Sequence, residues 1–222
     1  DDTYKRASAF SDAQVTGRAK IQAEMLAYAG YTYTILGESM CEMAVDNGPK
    51  MTKAEVLAIA EKRFTDAIAA ATTANDASLR NMAYVGRART RLDLNNLTGA
   101  AADAAQVPAG FVRNAEYSET TPTRENRLYN LSVRNDFVSV TPAYRGLTLE
   151  SGAPDPRVKV NNMNRIGPDN NTAIWQQQKF TGSGAVSLPI ASYAEAQLIL
   201  AESTTGQAQL DAINRVRALS NI

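Results

Sequence analysis

A chain of 222 residues is long enough for one large domain, or for a helical domain carrying a sizeable insertion. Apolar residues at 44% and charged residues at 21% are ordinary globular usage, which supports a buried core and argues against disorder. Lys+Arg and Asp+Glu each number 23, so the chain lacks both the basic field that attracts nucleic-acid phosphates and the basic amphipathic character of a helix lying on anionic lipid.

In chain order, residues 18–46 read as one long helix. Ile21, Met25, Tyr28, Thr32, Ile35, Ser39 and Met43 recur at spacings of three and four, the stripe of an amphipathic helix, and Asn47-Gly48-Pro49 stops it. Thr52 with Glu55 three residues on forms a capping box that opens a second helix running to about Thr72. Its expected buried face is Leu57, Ala60, Phe64, Ala67, Ile68 and Ala71. Leu79 to Leu94 is a third helix, in which Ala83 and Gly86 are small enough for a neighbouring helix to approach closely. An alanine-rich helix from about Thr98 to Gln106 follows, ended by Pro108 and Gly110. Helices are also expected over about 190–203 and 206–219, with Gly206 between them. No run of 18 apolar residues occurs, and no charged-then-apolar leader opens at Asp1.

Between these helical blocks, residues 107–188 have a different character. Six of the eight prolines lie there, among many Asn, Gly, Ser and Thr residues, and Arg134 to Val140 reads as a strand. So long a segment is functional or partly disordered, and its aromatic residues, Phe111, Tyr117, Tyr129, Phe137, Tyr144, Trp175 and Phe180, favour an ordered, functional insertion. The fold expected is mainly α: stacked helical hairpins over 18–106, an irregular, partly β insertion over about 107–188, and a closing hairpin over 189–222, all in one domain of 1–222.

The helices pair across short breaks, as stacked helix-turn-helix repeats do. Fragments of the tetratricopeptide pattern are present: Gly30 and Tyr33 in a first repeat helix, Ala60, Phe64 and Ala67 in a second, and Ala208 and Ala212 near the end. Ordered landmarks then make the whole chain resemble the SusD/RagB family. Tyr33 to Glu42, with Leu-Gly-Glu-x-x-Cys, looks like the family's first repeat helix. Ala83 to Leu92 looks like its Ala-x-x-Gly-Arg-Ala-Arg-x-x-Leu helix, and Val107 to Phe111 follows as Val-Pro-Ala-Gly-Phe. Asp155-Pro156-Arg157 and Lys179-Phe180 match in the insertion, and Leu188 to Arg217 resembles the closing stretch, with Ser192 where the family often has arginine. The resemblance implies a cell-surface protein of the bacterial outer membrane that captures glycans or oligopeptides beside a TonB-dependent, SusC-like transporter. It also implies an N-terminal region with a lipidated cysteine and a C-terminal half, neither of which is in this sequence.

The residues themselves point away from catalysis. The chain has no histidine, which removes the usual general base near pH 7 and the commonest zinc ligand. Its one cysteine, Cys41, lies in the apolar stretch Met40 to Met43, where it is expected as a small buried hydrophobe, slow to react, in preference to a reactive thiol. No metal or other cofactor is expected. Glu38, Glu42, Glu195 and Glu202 could serve a two-carboxylate glycosidase only if clustered, and Glu195 and Glu202 read as a solvated stripe.

Sugar binding needs an aromatic face for the pyranose C–H groups and amides for the hydroxyls. Asn161, Asn162, Asn164, Asn170 and Asn171, with Asp169 and the sole tryptophan Trp175, supply both types. The same asparagines are turn formers, and Trp175 can equally anchor the insertion. Asp155-Pro156-Arg157 reads as a structural turn, because Pro156 holds Asp155 out of the helical region. The Asn-rich stretch lacks the order of a calcium loop. Asn96, Asn130 and Asn170 open Asn-x-Ser/Thr triplets. The expectation is therefore a non-catalytic nutrient-binding protein, with a tetratricopeptide-like scaffold for another polypeptide as the alternative.

Overall fold

The computed structural model describes residues 2–222. The chain is mainly α and forms two compact units, a helical unit of Asp1–Arg113 with Ile190–Ile222 and a second unit of Asn114–Pro189. No helix among the described residues is long and apolar enough to cross a membrane.

In the helical unit, α1 (Asp2–Ser8) precedes α2 (Arg18–Ser39), which starts from Gly17 at φ 71°, a backbone conformation that glycine tolerates without strain. The buried face of α2 is Ala23, Leu26, Ala27, Gly30, Tyr31, Thr34 and Gly37. This overturns the predicted stripe: Tyr28, Thr32, Ile35 and Ser39 are exposed, while Ile21 and Met25 are half-buried. Close approach decides the choice of face. A Cβ added at Gly30 would lie 2.8 Å from the Phe64 ring, and one at Gly37 would lie 2.8 Å from Leu57.

Helix α2 also ends earlier than predicted, at Ser39. Met40 is extended (φ −128°, ψ 135°), and the chain enters a hairpin of β1 (Glu42–Ala44) and β2 (Lys50–Thr52) with Met43 opposite Met51. Asp46 and Asn47 are left-handed (φ 52° and 58°), so Asn47-Gly48-Pro49 turns a hairpin and does not stop a helix. Cys41 consequently lies outside the helix and is exposed, contrary to its expected burial.

The capping box forms as predicted at the start of α3 (Lys53–Thr73). Glu55 N–H donates to Thr52 Oγ1 (3.3 Å), and Thr52 N–H donates to Glu55 Oε2 (2.7 Å). Helix α3 buries Val56, Leu57, Ala60, Phe64, Ala67 and Ala71 between α2 and α4 (Ala77–Asp93). Phe64 is fully buried, with Tyr31 edge-on at 5.1 Å. A Cβ at Gly86 of α4 would stand 2.3 Å from its ring.

Helix α5 (Leu97–Ala104) packs on α4, capped by Asn96, and Ala100, Ala104 and Val107 extend the core. The chain leaves the helical unit through β3 (Val112–Ala115). Within the second unit it forms a 3-10 turn at Pro122–Arg124, the single turn α6 (Arg127–Tyr129) running into a π-helical stretch at Asn130–Arg134, and another 3-10 turn at Pro142–Tyr144. The strand expected over 134–140 is absent, because Asp136 is left-handed (φ 53°) and Phe137 N–H donates back to Leu131 O. The ordered strands of this unit are β4 (Val160–Ile166) and β5 (Ala173–Gln177), paired antiparallel with a register shift between Asn162 and Ile166.

The chain returns through β6 (Leu188–Ser192) into α7 (Tyr193–Ser203) and α8 (Gln207–Ala218). Ser192 caps α7, its Oγ accepting from Glu195 N–H at 3.1 Å. Gly206 (φ 65°) makes the break between α7 and α8. Ala196, Ile199 and Ala191 join the same core as α2–α5.

Candidate functional site

In the helical unit, charged side chains serve packing. Arg87 (Nη2–Oδ1 2.7 Å) and Arg91 (Nη1–Oδ2 2.8 Å) converge on the buried carboxylate of Asp103, and Arg91 also reaches Glu61 at 2.7 Å. Arg89 holds Glu38 with two bonds, of 2.6 and 2.7 Å, and reaches Glu195 at 3.4 Å. Burial pushes the Glu195 carboxyl up, against the pull of Arg89, so Glu195 is not part of a solvated stripe. Glu38 and Glu195 share one guanidinium, which makes both of them ion-pair partners of Arg89. No group of three or more potential metal-binding side chains occurs among the described residues.

The second unit holds the residues that the sequence selects. Cross-strand register places Asn162 opposite Trp175 and Val160 opposite Gln177. Residues two apart on a strand share a face, so Trp175, Gln177, Asn162 and Val160 line one side of the β4–β5 ribbon. Asn161 pairs with Gln176 on the other side, where Gln176 is buried and its amide points at the Ser132 and Val133 carbonyls (3.4 Å each).

Trp175 is half-buried. Its backbone N–H donates to Ser139 Oγ (3.0 Å), its backbone carbonyl accepts from Val140 N–H (2.8 Å), and the Arg145 guanidinium stacks 4.9 Å from the ring centroid. Arg145 is itself fixed by a bond from Nε to Val140 O of 2.8 Å. One face of the indole therefore already has a cationic partner.

The asparagines divide. Asn162 joins Trp175 by register, but its Oδ1 accepts from Asn164 N–H (2.9 Å), bracing the bulge in which Asn164 is left-handed (φ 51°). Asn170 (φ 56°) and Asn171 belong to the turn beyond the Ile166–Ala173 pair. Asp169 Oδ1 receives Asn171 N–H (3.1 Å) and Thr172 N–H (2.9 Å) there, and the Thr172 hydroxyl leads the bonds that hold the Asp169 carboxyl below its ordinary range. Asn161 lines a hollow of about 420 Å³ with Asp155, Lys159 and Gln178. The structure thus gathers Trp175 and Asn162 on one face, sets Asn161 on the other, and gives Asn164, Asn170 and Asn171 turn-forming backbones with exposed side chains.

Sequence reading missed a second hollow, of about 290 Å³, beside the Trp175 face. Gln177 links the two, since it shares the face of Trp175 and lines the hollow with Tyr144, Phe180, Lys159, Lys179 and Arg157. Tyr144 is 56% exposed, and Lys179 Nζ lies 5.7 Å from the Phe180 ring centroid. Gln177 Oε1 accepts from the N–H groups of Lys179 (2.7 Å) and Phe180 (2.9 Å), which fixes the turn that brings both side chains to the rim.

Asp155-Pro156-Arg157 forms the turn expected of it. Arg157 grips the buried Asp155 through Nε (2.9 Å to Oδ1) and Nη2 (2.6 Å to Oδ2), and this side-chain bonding holds the Asp155 carboxyl at about 2. The aromatic content of the segment pointed to Tyr144 and Phe180. No local spacing brings Lys159 and Lys179 together; they flank the Val160–Gln177 pair at the ends of β4 and β5, and both reach this hollow. Comparison with protein-family models, with curated proteins and with solved structures finds no match to this chain.

Proposed function

We propose that this protein is a non-catalytic binding component of SusD/RagB type, which captures a glycan at the bacterial surface for a TonB-dependent outer-membrane transporter. One observation carries the glycan part: the β4–β5 face sets an aromatic ring and an amide side by side, at Trp175 and Asn162, and runs past Gln177 into a hollow lined by exposed Tyr144 and half-buried Phe180. Aromatic faces pack against sugar C–H groups and amides orient hydroxyls, so this is the chemistry that a saccharide needs. The helical unit, whose consecutive helices pack on one another from α2 to α5 and from α7 to α8, supports the tetratricopeptide-like part of the reading. The absence of histidine and the clamping of Glu38 and Glu195 by Arg89 support a role without catalysis.

The test is calorimetry against a panel of oligosaccharides. Trp175→Ala and Tyr144→Ala should each weaken binding by about 1–3 kcal/mol, ten-fold or more, by analogy with bases stacked on aromatic rings, with helical ellipticity unchanged. A second reading is favoured by the half-burial of Trp175 under Arg145: the ring anchors the second unit, and the protein is a scaffold for another polypeptide. No saccharide binding, together with unfolding of the second unit on Trp175→Ala, would decide for the scaffold.

A further inference from the structure

The hollow beside Trp175 has an unusual charge inventory. Three cationic side chains line it, Arg157, Lys159 and Lys179, and no acidic residue is among the lining. Arg157 is committed to Asp155 through its two-pronged contact, and that pair is internally neutral. Lys159 and Lys179 have no carboxylate within ion-pair distance among the described residues, whereas Arg157 beside them is paired. Two uncompensated ammonium groups at one concavity repel each other and concentrate an anion there. The walls between them are not simply charged: Tyr144 offers an exposed ring, and Val160 and Phe180 supply apolar surface. A free inorganic anion would not use those walls. A ligand that presents a carboxylate on a ring with an apolar face would use all of them.

We infer that this hollow receives a uronic-acid residue of an acidic saccharide, with its carboxylate between Lys159 and Lys179 and its C–H face on Tyr144. The inference rests on the glycan reading given above and sharpens it to one chemical class. A compact, strongly hydrated ammonium recognises a carboxylate as a point charge and leaves the sugar free to settle on the ring. The volume of about 290 Å³ suits one or two sugar rings more than a long chain, so the remainder of the ligand would lie along the Trp175–Asn162 face.

The experiment is calorimetry on the whole chain with three probes: an oligouronate trisaccharide, the same trisaccharide with its carboxyls reduced to alcohols, and triglutamate. The oligouronate should bind at least about ten-fold tighter than its reduced form in low salt, with the gap narrowing at high salt as the ammonium–carboxylate attraction is screened. Lys159→Gln with Lys179→Gln should erase that gap by bringing the oligouronate down toward the affinity of its reduced form, whereas Lys159→Arg with Lys179→Arg should keep it. Both lysines are exposed, and an unchanged melting temperature confirms that the variants remain folded. Equal affinity of the acidic and reduced sugars overturns the acidic subsite while leaving the glycan reading intact. Triglutamate binding as tightly as the oligouronate overturns the saccharide assignment in favour of an acidic peptide. Failure of all three probes to bind the folded protein removes the glycan reading and this inference together.

Discussion

Gly86→Ala is the most demanding test of the helical unit, because it adds one carbon to the most crowded place described. The new Cβ would stand 2.3 Å from two carbons of the Phe64 ring, far inside van der Waals contact. Phe64 cannot retreat toward α2, where Gly30 leaves no more than 2.8 Å for a Cβ of its own and Tyr31 sits edge-on at 5.1 Å. Alanine is intrinsically better than glycine in a helix interior by about 1 kcal/mol, so an uncrowded site would be stabilised. Overpacking of a rigid core costs about 1–3 kcal/mol, and with no free direction for Phe64 the upper part of that range applies. The net expectation is a loss of about 1–2 kcal/mol, with Gly86→Leu worse. Urea unfolding followed by far-UV ellipticity reads it as a lower midpoint at constant slope. In a Phe64→Leu background, the penalty of Gly86→Ala should shrink by at least about 0.5 kcal/mol, because the two residues are in contact. A Gly86→Ala protein as stable as the parent, or a penalty unchanged by Phe64→Leu, would refute the account of how α3 and α4 pack.

Three further outcomes are expected. Cys41, exposed beside the β1–β2 hairpin, should label with a thiol reagent nearly as fast in the native protein as in urea, and Cys41→Ser should change stability by no more than about 0.5 kcal/mol. Asp103→Ala should leave Arg87 and Arg91 without their shared buried carboxylate and cost about 3 kcal/mol, read from the same urea curves. The Asp155 carboxyl is held at about 2 in the folded chain, below an unfolded value of about 4, so its contribution is complete above pH 4 and is lost as pH falls from about 4 to 2. Arg157→Gln should flatten the acid loss of stability in that window, and an unchanged acid profile would count against the pair.

How much of this was legible depended on whether the deciding interactions were local. Helix α3 was readable in start and face because a capping box is a four-residue signal and because Phe64 among alanines has one apolar side. Helix α2 was readable in existence but not in face. Its sequence is apolar nearly all round, and periodicity favours its larger residues, whereas packing selects Gly30 and Gly37, which score low on any hydrophobic scale but admit Phe64 and Leu57. The helix end was misjudged for a related reason. Asn-Gly punctuation marks both helix stops and hairpin turns, and the pairing of Met43 with Met51 is what makes it a hairpin here. In the second unit, composition identified Trp175 and the asparagines, but the meeting of Lys159, Gln177 and Lys179 at one hollow follows from the pairing of β4 with β5 and the turns at their ends, which no local pattern shows.

The three arginines of α4 show what a motif resemblance can and cannot carry. Arg87 and Arg91, four apart, lie on one helix face and meet Asp103 of α5; Arg89 points elsewhere and meets Glu38 of α2 and Glu195 of α7. Each arginine of the Gly-Arg-Ala-Arg-Thr-Arg stretch thus ties α4 to a neighbouring helix, so that stretch speaks for architecture and is silent on ligand. Charges that hold helices together are already paired, whereas Lys159 and Lys179 have no carboxylate partner among the described residues and stay available to an anion. By that criterion Lys159 and Lys179 are better functional candidates than any arginine of α4. The specificity of the protein should accordingly follow substitutions in the second unit while its stability follows substitutions in the helical one.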